Sequence, residues 1–211
     1  MLTLSELANL AADSNVNFLS SKGGQKAEGK KADGPFQSPL EPQVAYPVHV
    51  TPAVVDGKFG KQLEVSMAII TSSGSLKKAG KTWLSLETSG LENKSPEEAL
   101  KIANNTYKNL HGLLAAIDPA TFTTCASIDK RNDKKWKYIG HDGKAMTQEQ
   151  VAARKAAIEK AVVGAAMALA AGQMTLPESD IYVIRVPKNT GKGDFFNYYH
   201  NVPESAPLAE V

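Results

Sequence analysis

Between residues 62 and 70 the chain alternates without a break. Leu63, Val65, Met67 and Ile69 are apolar, and Gln62, Glu64, Ser66 and Ala68 between them are polar or small. A period of two sends successive side chains to opposite faces, so the segment is a strand with one face buried and the other turned to water. A stretch rich in Gly, Ser and Lys follows over 72–80. Thr82, Leu84 and Leu86 then resume the alternation with Trp83 between them. Strand, short polar loop, strand is the pattern of an antiparallel hairpin. Upstream, residues 45–55 are strand-like, and Asp56, Gly57 and Gly60 supply a turn. Residues 45–88 therefore form a three-stranded antiparallel meander, around which every other element must be placed. Pro47 and Pro52 interrupt the first strand, which marks it as an edge strand or one carrying a bulge.

The helical signals lie on either side. Leu4, Leu7, Leu10 and Ala11 repeat at helical spacing over residues 3–13. Ser95-Pro96-Glu97-Glu98 combines an N-cap, a first-turn proline and a glutamate at the capping-box position. It opens a helix to about Ile117, with Leu110, Leu113 and Leu114 on its apolar side, and Asp118-Pro119 ends it. Thr147 and Gln150 form a second capping box, opening a helix that runs to about Ala171 with Gly172 as its cap. Between these helices, residues 119–145 are irregular and polar apart from a ribbon around 136–139. Residues 181–186 are a strand, 187–194 a turn rich in Gly and Lys, and 195–202 a last, aromatic strand.

The string predicts an α+β protein: a five-stranded OB-like antiparallel barrel with two helices inserted between strands 3 and 4. A ferredoxin-like or other α+β sheet suits the same order of elements. The expected organisation is an N-terminal helix and flexible arm over 1–43, where 20–43 lose all periodicity. The barrel domain follows over 44–202, with a helical insertion at 118–172, and then a disordered tail over 203–211.

A chain of 211 residues, 42% of them hydrophobic, can bury one substantial core. No run approaches the roughly 20 apolar residues that span a bilayer; the most apolar, 161–171, is too short and Ala-rich. The first residues carry Glu6 and Asp13 and no basic stretch, unlike a signal peptide. Cys125 is the single cysteine, so an internal disulfide and a multi-cysteine metal site are excluded, and a reducing, cytoplasmic setting is expected. His49, His111, His141 and His200 show no metal-ligand spacing. There is no Gly-x-Ser-x-Gly elbow and no phosphate loop. Residues 189–193 resemble one loosely, but they precede a strand where a helix is required. A catalytic site would have to be assembled from distant residues such as His141, Asp142 and His200. No enzyme activity, cofactor or metal is expected.

Binding has more support. Single strands of nucleic acid are held by aromatic faces that stack on bases and by cations that neutralise phosphates. The net charge of +2 is too small to carry that argument, so the distribution must. Lys77, Lys78 and Lys81 lead into Trp83. Lys130, Arg131, Lys134, Lys135 and Lys137 surround Trp136 and Tyr138. Arg185, Lys188 and Lys192 precede Phe195, Phe196, Tyr198 and Tyr199. Bland readings stand beside each. Trp83 is out of phase with Leu84 and Leu86, and core and solvent-facing positions suit it equally. The terminal aromatics read more readily as core and rim. The segment 130–138 is the hardest to explain structurally. The candidate nucleic-acid-binding residues are Lys77, Lys78, Lys81, Trp83, Lys130, Arg131, Lys134, Lys135, Trp136, Lys137, Tyr138 and Arg185.

The run Gly60–Ile70, then Lys77 to Gly80 and Lys81-Thr82-Trp83-Leu84-Ser85-Leu86, resembles small phage-encoded OB-fold single-stranded-DNA-binding proteins. The helix opening at Ser95 and the closing strand pair follow the same plan. The resemblance covers about 44–117 and 180–202; residues 118–172 exceed the plan, and the last residues lack the acidic tail with a terminal aromatic that many such proteins carry. It implies sequence-tolerant binding and protection of single-stranded DNA in replication, recombination or repair, in the cytoplasm of a host cell. Replication or recombination proteins and a second copy of the chain stay open as further partners, and no membrane is implied. The alternative is a structural virion or assembly protein whose arm at 20–43 extends onto neighbouring subunits.

Overall fold

In a computed structural model the chain is described over residues 2–14, 17–19, 39–57, 60–87, 93–129, 137–187, 194–202 and 206–211. β1 (Ala45–Gly57) pairs antiparallel with β2 (Gly60–Ile70), and β2 with β3 (Leu76–Ser85). Leu63, Val65, Met67 and Ile69 of β2 are 4% exposed or less, so the alternation points its apolar set into the core. α2 (Pro96–Ile117) follows, capped by the Ser95 hydroxyl, which accepts from the Glu98 backbone N–H. Next come α3 (Pro119–Phe122), the short strands β4 (Ser127–Asp129), β5 (Lys137–Ile139) and β6 (Ala145–Met146), and α4 (Gln148–Ala170). β7 (Ser179–Pro187) and β8 (Asp194–Tyr199) return to the first sheet.

That sheet has the order β3-β2-β1-β7-β8, so β3 and β8 are its two edges and it does not close. The OB-like barrel inferred from the sequence is therefore incorrect. The molecule is α+β, with an open five-stranded sheet and a separate three-stranded one, β4-β5-β6, in a region expected to be irregular apart from a ribbon around 136–139, where β5 lies. α2 explains the opening. It packs against β3, β7 and β8, and a helix occupies the space that a closing ladder between the edges would need. The Tyr198 side chain of β8 lies against Gly112 of α2, and its hydroxyl is buried near Thr82 of β3 without a hydrogen bond of good geometry. Burial holds that phenol well above the ordinary tyrosine range.

β1 is a central strand, not the edge that its prolines suggested. The Ala45 N–H donates to Pro207 on the side away from β7, so alternate residues from 45 onward face β2 and those from 46 face β7. Pro47 thus faces the β2 side just beyond the last paired position, Val48↔Ile69. Pro52 faces the β7 side, beyond Val50↔Ser179. Each proline lacks its N–H where pairing with the neighbouring strand has ended, and no ladder bond is lost.

α4 packs on α2, and α1 (Leu4–Leu10) packs on α4. Residues 161–166 of α4 are all buried, because α1 covers one side and the core the other. A Cβ on Gly164 would stand 1.8 Å from the Leu7 carbonyl oxygen, so only glycine permits this approach. The contact is secured by the buried Glu159 carboxylate, which accepts from the Leu19 N–H at 2.6 Å, and by Lys160 donating to the Ala12 carbonyl. Two segments expected to be loose are held to the sheet. Within the supposed arm, Leu40 is fully buried and Pro42 bridges to Arg185. Within the supposed tail, Leu208 bridges to Ala45, and the Val211 carbonyl accepts from the Ser72 N–H. Residues 20–38 of the arm and 203–205 lie outside the described residues. No described helix is long and apolar enough to cross a membrane.

Candidate nucleic-acid interface

Three residues on a strand spaced as Lys78, Lys81 and Trp83 are would not ordinarily share a face, since 78 and 81 differ by an odd number. A bulge changes this. Met67 pairs with Gly80 and Ala68 with Lys78, so Ala79 is an extra residue, fully buried. Below the bulge Lys81 stands opposite Ser66 and Trp83 opposite Glu64; above it Lys78 stands opposite Ala68. All three therefore lie on the outer, polar face of the sheet. Lys77 pairs with the buried Ile69 and belongs to the other face at the strand's end.

Trp83 is 53% exposed. Its indole N–H donates to Glu64 Oε2 at 3.1 Å, and Lys81 Nζ donates to Glu64 Oε1 at 2.5 Å. One carboxylate thus fixes both side chains, and the bond from Lys81, ahead of its charge and of the Trp83 bond, holds Glu64 below the usual carboxylate range. With its N–H tethered, the indole is restricted in orientation while half its surface stays in water. Lys78 is exposed and has no ion pair among the described residues. Glu64 was not singled out from the sequence. A regular hairpin would set it opposite Thr82, and only the unpredicted bulge moves Trp83 there.

The same face continues across β1. Thr51 stands opposite Ser66, and His49 opposite Ala68. His49 is itself held between Asp180 of β7, 2.7 Å from Nδ1, and Glu178, 3.4 Å from Nε2. The bond to Asp180, opposed by desolvation and aided by Glu178, raises the imidazole above its ordinary pKa. Tyr182 and Tyr199, both half-buried, are cross-strand partners at the β7–β8 end. Beyond them Ala45 and Ile184 are buried, so the open part of the face belongs to the meander.

The remaining candidates are placed elsewhere. Lys130, Arg131, Lys134, Lys135 and Trp136 lie outside the described residues. Lys137 is exposed and Tyr138 half-buried on β5, in the three-stranded sheet and not beside Trp83. Arg185 is half-buried on β7, its guanidinium donating to the Leu40 carbonyl at 2.9 Å, where it fastens residues 39–43. Of the residues considered for catalysis, His141 shares a hydrogen bond with the Thr123 hydroxyl, and Asp142 accepts from the Lys144 N–H within a turn. Burial raises the Cys125 thiol, the reverse of nucleophile activation. Among the described residues no three His, Cys, Asp or Glu are grouped to hold a metal ion. Comparisons with protein-family models, with curated proteins and with solved structures find no match.

Proposed function

We propose that the outer face of the β1–β2–β3 meander binds single-stranded DNA without strong sequence preference, as a protective and not a catalytic activity. The observation that carries this reading is Trp83: a half-exposed indole, oriented by Glu64, on the same sheet face as Lys78 and Lys81. A half-exposed indole held in one orientation offers a stacking platform that accepts any base. The two lysines follow one another on one side of it along β3, opposite Ser66 and Ala68, where they meet successive phosphates. The proposal does not require a closed barrel. It places the strand on the open sheet face and leaves Arg185 in a structural role.

The test is a fluorescence-anisotropy titration of a labelled oligo-dT at low and moderate salt. The expected result is binding that weakens with salt, by a log–log slope of about 0.7 for each phosphate neutralised. Quenching of tryptophan emission should accompany it. No binding at low salt would rule the proposal out. The assembly reading rests on an arm whose residues 20–38 lie outside those described, and no observation on the described residues favours it.

A further inference from the structure

We propose that Glu64 is an internal stand-in for a phosphate: its carboxylate occupies the donors of Lys81 and Trp83 in the unbound protein, and a strand's phosphate takes its place at Lys81. This rests on the interface proposed above and names what regulates its affinity. The geometry divides the carboxylate evenly, one oxygen on the ammonium and the other on the indole N–H. A phosphodiester presents the same feature, two non-bridging oxygens on one anionic centre. Glu64 also faces a lysine that is 43% exposed while being itself 21% exposed, so the ammonium is reachable from solvent. An exposed ion pair of this kind contributes little to stability. Its effect falls instead on ligands, because an anion approaching Lys81 meets a cation already neutralised and a like charge beside it. Lys78, which has no ion pair among the described residues, makes the first phosphate contact, and Lys81 the second at the cost of its bond to Glu64.

The discriminating variant is Glu64→Gln, which retains an oxygen acceptor for the indole N–H and removes the charge. Affinity for oligo-dT should rise about fivefold at low salt, the scale of one unit-charge repulsion at contact in water. Its log–log salt slope should steepen as well, because no freed carboxylate is left beside the bound strand to take up a cation in its turn. In a Lys81→Ala background the same substitution should leave both quantities nearly unchanged, since the ammonium it releases is gone. Unaltered or weakened binding by Glu64→Gln, with its melting temperature that of wild type, overturns the inference and assigns Glu64 to holding the indole alone. Equal gains with and without Lys81 overturn it as well. Failure of the wild-type protein to bind is a separate outcome, which removes the interface itself.

Discussion

Trp83, Lys78 and His49 share a sheet face and make different predictions. Replacing Trp83 by Ala removes a stacking surface worth about 1–3 kcal/mol per base, so oligo-dT affinity should fall by roughly tenfold or more. The fold should lose little, because the side chain is half in water. Lys78→Ala should weaken binding less and flatten the salt slope by about 0.7. Isothermal titration at two salt concentrations separates the two effects. His49 gives a pH dependence. Asp180 and Glu178 raise its folded pKa, so its protonated form stabilises the fold below the ordinary histidine range, and that contribution disappears as pH rises through the raised value. Wild type should melt above His49→Gln at about pH 5.5 and match it at about pH 8.5. A constant difference across that range contradicts the assignment.

Among the elements, the close approach of α1 to α4 requires the missing side chain of Gly164. Gly164→Ala places a methyl group against the Leu7 carbonyl, which no rotamer relieves. Alanine favours a helix interior by about 1 kcal/mol over glycine, yet the variant should be less stable by about 1–3 kcal/mol, as overpacking is. Denaturant unfolding measures this; a gain in stability would mean that α1 is not docked. The sequence announces α2 and α4 because their signals are local: Ser95 with Pro96, and Thr147 with Gln150, cap the helices as their spacing implies. β2 is legible for the same reason. What the sequence conceals is non-local. Nothing in the Ala-rich run of α4 says that Gly164 awaits Leu7, and nothing about Pro52 says that β7 ends before reaching it. The bulge at Ala79 is hidden as well, and with it the grouping of Lys78 with Lys81 and Trp83 and the part played by Glu64. The bond from Arg185 to the Leu40 carbonyl is hidden for a related reason, since the two residues lie far apart in sequence.

The whole molecule is asymmetric. One face of the five-stranded sheet is covered by α2, with α4 and α1 stacked beyond it. The other is open along the meander and carries the half-exposed tryptophan. The five strands of the larger sheet and the two long helices between β3 and β7 could be read from the order of elements. The three-stranded sheet could not, nor could closure, since it depends on where α2 lies between two edges distant in sequence. The function proposed here resides in the uncovered face, and it is tested most directly by following backbone and indole amide resonances of the 15N-labelled protein as oligo-dT is added. Shifts should concentrate on Ser66, Ala68, Lys78, Lys81 and the Trp83 indole N–H, with α4 and α1 undisturbed. Binding that leaves these resonances in place and shifts residues on other elements would contradict the account.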